Sequence, residues 1–324
     1  MNRSSGARSG IALGLLSAAT FGTSGSFASS LLNAGWSATS AVIFRIGIAA
    51  IVLLGPALWS LHGRWHRLRG NVGRIMVYGV FAVACAQVCF FNAVRYLPVG
   101  VALLMEYMGL VLIVVWMWAV HKQRPRRLTI AGSIIAIAGL LCVLDLTGAG
   151  HISVVGVLWG LGAAVGLAVY YVLSARGDEA VPALALASAG MGIGAITLLL
   201  LGLLGAAPLH ARFGDVSFAG HEVSWLLPIA GLSLVAAVVS YVTGIEAARL
   251  LGARLASFLG LFEVVFAVLF AWLFLAQLPT LVQAVGGVLI AAGVTLVRLD
   301  ELRAPAVAVP DELAAEPALA VVDR

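Results

Sequence analysis

The stretch "HKQRPRRL" (121–128) holds the only lysine of this 324-residue chain, and 154 residues later "LAQLPTLV" (275–282) keeps its glutamine and its proline but none of its charges. Both stretches lie in a sequence that is 62% hydrophobic and 10% charged, against about 25% charged in an average soluble protein, with a mean hydropathy of +1.08. That composition describes an integral membrane protein. The formal charge of +5 does not point to nucleic acid, because the basic residues stand in short clusters between apolar runs and not along one polar face. Cys85, Cys89 and Cys142 lie inside apolar runs. The i, i+4 pair Cys85/Cys89 could chelate a metal or bridge to another chain, but it reads better as small buried hydrophobes.

Ten apolar stretches approach or exceed the roughly 20 residues that a helix needs to cross a bilayer: 11–31, 38–60, 74–94, 99–120, 128–146, 154–175, 182–205, 223–248, 254–275 and 281–298. Open strands cannot satisfy their backbone in lipid, so the expected fold is an all-α integral membrane protein of ten transmembrane helices. The first stretch is too long for the apolar core of a signal peptide and has nine more behind it, so it reads as a retained helix. Residues 1–10 form a short N-terminus. The proline-containing, acidic stretch 299–324 lacks apolar periodicity and reads as a disordered tail.

Orientation follows from the arginines, which favour the cytoplasmic side. With the N-terminus inside, the outer segments hold only Arg95 and Arg212, Arg45 lies within the second helix, and every other basic residue falls inside. Both termini are then cytoplasmic, the expected location is the cytoplasmic membrane, and "HKQRPRRL" is an inner anchor.

A shift of 154 residues lays 93–144 on the second half without a gap. Arg95 falls on Arg249, Trp118 on Trp272, Gln123 on Gln277, Pro125 on Pro279, Gly132 on Gly286 and Gly139 on Gly293. "GIALG" (10–14) and "GVLWG" (156–160) open the two halves with the same GxxxG spacing, which permits close helix approach. Two five-helix repeats follow, 11–146 and 154–298, and an odd number of helices inverts the second. "LAQLPTLV" then lies outside, where Ala276, Leu278, Thr280 and Leu281 replace Lys122, Arg124, Arg126 and Arg127. Inverted repeats of this kind are an architecture of secondary transporters, with substrate near the midplane and alternating access.

The segments 254–299, "RLASFLGLFEVVFAVLFAWLFLAQLPTLVQAVGGVLIAAGVTLVRL", and 101–144, "VALLMEYMGLVLIVVWMWAVHKQRPRRLTIAGSIIAIAGLLCVL", resemble the EamA family of the drug/metabolite transporter superfamily. The resemblance runs over about residues 10–299. It implies paired EamA units and export of small metabolites such as amino acids, or of toxic compounds. The family often carries proline near the Glu106 and Glu263 positions and a Gly-Glu step at the end of the ninth helix. This chain reads "EYMG", "FEVV" and "LAQL" there.

A charge at the centre of a membrane helix costs about 2.5–3.5 kcal/mol on insertion scales, so Arg45, Glu106 and Glu263 stand out. Glu106 and Glu263 occupy similar faces of equivalent helices about one turn apart. They are the leading candidates for binding a cationic or amine-bearing substrate or a proton, against a purely structural pairing with Arg45 or helix-end amides. Arg45 itself reads as structural. Weaker candidates are Gln87 and Tyr241, which align in the repeat, Tyr170, and Thr20 in the stripe Ser17, Thr20, Ser24. Hydroxyls bonding back to their own helix are the alternative for that stripe. Tyr107, Trp116 and Trp159 read as interface anchors before cavity walls, and Asn92, Arg95, Glu246 and Arg249 as helix-end pairs.

A membrane enzyme is the rival class, since "GTSG" (22–25) has the form of an intramembrane serine nucleophile. Such a serine needs a histidine base, and His62, His66, His121, His151, His210 and His221 all fall in loops or helix ends. No zinc spacing and no P-loop lysine occur, so neither metal nor cofactor is expected and ATP is not the direct energy source. A non-transporting receptor or scaffold is the remaining alternative. The reading is a secondary transporter of small metabolites, an exporter, with the lipid bilayer, a small-molecule substrate and protons as partners, and a homodimer as an open alternative to the monomer. Single-cysteine labelling should find Thr280→Cys accessible from outside intact cells and Arg126→Cys only from inside. Labelling of both from one face would overturn the inverted repeat.

Overall fold

The computed structural model describes residues 3–63, 65–97, 99–122, 125–144, 153–175, 181–276 and 278–302. The first span is α1 (Arg3–Gly22) followed by α2 (Ser24–Asn33), and the second is α3 (Ala38–Ser60). The short α4 (Trp65–Gly70) lies in the loop before the third span, which joins α5 (Val72–Val77), a π-helical segment (Tyr78–Cys85) and α6 (Ala86–Tyr96). The fourth is α7 (Val99–Tyr107) with α8 (Gly109–His121), and α9 (Arg127–Leu144), α10 (Val154–Ser174) and α11 (Ala183–Leu203) are the fifth to seventh. After β1 (Asp215–Phe218) and β2 (His221–Ser224), the eighth span runs through α12 (Leu226–Ala230), a second π-helical segment (Gly231–Val239) and the start of α13 (Ser240–Gly260). Gly252, at φ 80° and ψ 162°, breaks α13. The residues beyond it join α14 (Phe262–Leu275) as the ninth span, and α15 (Leu281–Leu302) is the tenth.

Local chemistry explains several of these boundaries. Ser37 opens α3 by accepting from the Ser40 amide at 3.2 Å. The eighth span starts at Leu226 and not at 223, because 221–224 pair antiparallel with 215–218. The turn between these strands, Ala219-Gly220, has positive φ at both positions, 51° and 79°, the geometry that suits the twist of a two-residue hairpin. At the other end of the chain α15 continues to Leu302, past the expected start of a disordered tail at 299; the rest of that tail lies outside the described residues.

The inverted repeat is visible in the packing, because several glycine contacts occur twice. A Cβ added to Gly10 would lie 2.8 Å from Leu251, and one added to Gly156 would lie 2.5 Å from Leu97. Gly14 faces Leu259 as Gly160 faces Met105, and Gly47 faces Ala195 as Gly192 faces Ala50. These pairs fix the correspondence at 146 residues for the first and sixth spans, 145 for the second and seventh, and 154 for the rest. The step from 145 to 154 falls in the loop that carries the β-hairpin. Both π-helical segments occupy equivalent places in the third and eighth spans. The left-handed C-caps Lys122 (φ 55°) and Ala276 (φ 56°) stand 154 residues apart.

The fifth and tenth spans pack along each other on the pseudo-two-fold axis. A Cβ on Gly139 would lie 2.6 Å from the Gly286 carbonyl oxygen, and one on Gly293 2.6 Å from that of Gly132. At one end the buried Thr129 hydroxyl donates to Asp300 at 2.5 Å, and at the other Gln283 donates to the Val143 carbonyl at 3.3 Å. Large exposed aliphatic side chains such as Ile51, Ile134, Leu158 and Val288 lie on the outside of the bundle, the faces that lipid covers. Gly139→Leu should force α9 and α15 apart and destabilise the protein by about 1–3 kcal/mol. The check is a lowered thermal midpoint in detergent, and an unchanged midpoint would show that the crossing is looser than described.

Candidate functional site

Between the repeats lies a cavity of about 350 Å³, lined from the first, second, third, fourth, sixth, eighth and ninth spans. It reaches Leu32 and Ala38 at the end of the bundle that carries the hairpin, and toward the other end it stops at Gly14, Ala247 and Ala256. Three of the lining spans contain a loosened turn. At Thr23, Met108 and Leu261, ψ relaxes to −18°, −14° and −25°. Met108 N bonds to both Leu104 O and Met105 O, and Leu261 N to Phe258 O, a tightening toward 3₁₀ geometry. No proline produces these turns.

Glu106 lies just before one such turn and Glu263 just after another, and both line the cavity. In the repeat alignment "EYMG" (106–109) falls on "GLFE" (260–263), so each carboxylate has a glycine as its counterpart. Gly260 leaves space that the Tyr171 hydroxyl fills, since a Cβ there would lie 2.0 Å from that oxygen. The two carboxylates interact electrostatically across the cavity. Glu106 makes no hydrogen bond or ion pair with any described residue. The Tyr107 hydroxyl lies near the Glu263 carboxylate.

Aromatic rings complete the wall. Tyr170 stands edge-on to Tyr171 at 4.9 Å and to Tyr241 at 5.7 Å between centroids, and Phe21 lies 6.1 Å from Tyr241. Arg45 stacks on Phe21, 4.5 Å from its centroid. It donates through Nη2 to the Ala236 carbonyl at 2.6 Å, within the second π-helical segment. It feels Glu263 electrostatically without forming an ion pair with it. Its counterpart is Gly190, where the Tyr78 ring takes the vacated room.

Of the residues singled out from sequence, Glu106, Glu263, Gln87, Tyr241, Tyr170 and Arg45 all line this cavity. Thr20 does not: its hydroxyl donates back to the Leu16 carbonyl at 2.8 Å. Ser17 and Ser24, on either side of it in the stripe, do line the cavity, with Ser17 donating to the Ser240 carbonyl at 2.7 Å. Tyr107, read from sequence as an interface anchor, is a wall residue, whereas Trp116 and Trp159 are not. Tyr171, Phe21, Gly244 and Gly260 went unnoticed in the sequence. The available signal was the Glu/Gly exchange between "EYMG" and "GLFE". Among the described residues no group of His, Cys, Asp and Glu could hold a metal ion, and the Cys85 and Cys89 sulfurs lie 3.8 Å apart as free thiols.

Comparison with known proteins gives the same architecture. Residues 8–145 and 154–299 each match the EamA-like transporter family. No curated protein matches the chain. A solved structure described only as the crystal structure of a protein is similar over 92% of this chain and 99% of its own, with a TM-score of 0.74 at 20% sequence identity. At that identity the likeness shows a common fold. The seat of Tyr171 can be tested by a pair of substitutions. Gly260→Ala should displace the ring and lower ligand binding about tenfold, and Tyr171→Phe in the same chain should restore much of it by removing the clashing oxygen. Equal loss in the single and double variants would show that the seat does not shape the site.

Proposed function

The chain belongs to the EamA-like transporter family, and from that premise we propose that it is a secondary transporter that exports small amine-bearing metabolites by alternating access. The observation that carries this reading is the pair Glu106 and Glu263 on the wall of a cavity shared by both repeats. A carboxylate inside a membrane bundle is costly. Glu106 has no hydrogen-bonding or ion-pair partner among the described residues to offset that cost, so the favourable states of the site are those in which a cation or a proton comes to it. The rings of Phe21, Tyr170, Tyr171 and Tyr241 add faces on which an ammonium group is favoured. Arg45, held by Phe21 and the Ala236 carbonyl, supplies a positive charge on the same wall, which suits substrates carrying both an amine and an acid, such as amino acids.

Coupling to protons follows the same logic. A carboxylate that binds substrate when ionised and releases it when protonated exchanges one cargo for the other, and the bilayer supplies the gradient. The resemblance to exporters of that family supports an outward direction, and the arginine distribution supports a cytoplasmic position for both termini. The test is uptake into proteoliposomes of labelled amino acids, nucleosides and organic cations, with and without a pH gradient, for the intact protein and for Glu106→Gln. Gradient-driven uptake of one amine-bearing class, reduced at least tenfold by Glu106→Gln with folding intact, is the expected result. Uptake confined to a class without an amine, or equal in both proteins, would overturn the assignment of Glu106.

A further inference from the structure

The two ends of the bundle are built from equivalent parts in different states. At the end opposite the hairpin, Arg249 on α13 bonds Glu246 at 3.2 Å and also donates through Nη2 to the Val181 carbonyl, just before α11. Its counterpart at the hairpin end is Arg95 on α6, whose one hydrogen bond among the described residues is to Asn92, the counterpart of Glu246, at 3.5 Å. Arg95 is exposed, whereas the Arg249 side chain is 16% exposed. The position equivalent to Val181 in the 145-residue correspondence is Trp36, just before α3.

The walls show the same imbalance. Ala28 and Ala38 line the cavity toward the hairpin end and are partly exposed, and their counterparts Ser174 and Ala183 are buried at the other. One end is therefore open and latched apart from its partner, and the other is closed by an arginine on a backbone carbonyl. In an inverted repeat the opposite state is reached when the two halves exchange conformations.

We propose that Arg95 is the latch of the second state: when the hairpin end closes, its guanidinium donates to the Trp36 backbone carbonyl as Arg249 now does to that of Val181, and the Arg249 bond is released. This inference rests on the alternating-access reading above. The two latches differ in strength, because the closed end carries a second arginine bond, Arg74 to the Leu173 carbonyl. The counterparts of Arg74 and Leu173 are Pro228 and Phe27, which supply no such donor. The state with the hairpin end open is thus the more populated one.

The test reads the minor state. In a background with Cys85, Cys89 and Cys142 replaced, Ala183→Cys reports opening of the end now closed, by its rate of labelling with a hydrophilic maleimide in nanodiscs. Arg249→Ala should raise that rate and Arg95→Ala should lower it, each about tenfold for the loss of one charge-assisted hydrogen bond. Arg95 is exposed here, so its removal leaves the described packing intact, and its result does not depend on whether Arg249→Ala folds. As a second measurement, spin labels at Asn33→Cys and Tyr96→Cys, both exposed, should show a short-distance population that Arg95→Ala depletes. Labelling raised by Arg249→Ala but unchanged by Arg95→Ala would overturn the latch and leave alternating access standing. Labelling at position 183 in none of the proteins would overturn alternating access, and the latch with it.

Discussion

In a bilayer, helices gain little from burying apolar surface against one another, so the axis of this bundle is held by how closely two backbones can approach. The crossing of α9 and α15 brings glycine against the partner's carbonyl at both ends of a two-turn stretch. Because the halves are inverted copies, the contact of Gly132 with Gly293 entails the contact of Gly286 with Gly139. Four glycines thus answer one requirement, and a side chain at any of them would open the crossing at that level. The paired contacts of Gly10 and Gly156, or of Gly14 and Gly160, repeat the logic away from the axis. The helices that carry Glu106 and Glu263 to the cavity, α7 and α14, pack on this pair.

The chemistry sits where the copies disagree. Glu106 faces Gly260 in the alignment, Glu263 faces Gly109, and Arg45 faces Gly190. In each case a charged side chain in one repeat corresponds to a glycine in the other, and a neighbour takes the room: Tyr171 at Gly260, Tyr78 at Gly190, and the Ala164 carbonyl of α10 at Gly109. Strict symmetry would place two guanidinium groups and four carboxylates in the core of one bundle, at a desolvation cost of several kcal/mol each. Losing one member of each pair keeps a single asymmetric site that both repeats enclose.

Much of this could be read from the sequence, and the failures have physical causes. The second span is marked by Ser37 as cap and a long apolar run, and its limits 38–60 coincide with α3. The eighth span is expected from 223 because Val223 and Trp225 extend the apolar run that follows, but 221–224 pair instead with "DVSF". Thr20 joins Ser17 and Ser24 by an i, i+3, i+7 rule, but it stands about 60° round the helix from Ser17, and its hydroxyl bonds back to the Leu16 carbonyl. Tyr171 escaped because adjacent residues on one helix are not expected to share a face. Both Tyr170 and Tyr171 line the cavity, and each hydroxyl is seated on a glycine of α13, Gly244 and Gly260 respectively.

The contrast between "HKQRPRRL" and "LAQLPTLV" separates two kinds of information in one alignment. Lys122 and Ala276 adopt the same left-handed conformation, which costs a residue with a Cβ about 1–2 kcal/mol relative to the right-handed one. Neither residue is chosen for that conformation, as glycine would be. The shared geometry must come from what the two turns have in common: a helix that ends at the same depth, and a proline three residues later at Pro125 and Pro279 that bars its continuation. A charge is not needed for the left-handed step, since Ala276 adopts it without one, so the charges were free to follow the side of the membrane on which each copy emerges. Backbone shape was kept through the inversion, and electrostatics was reassigned by it.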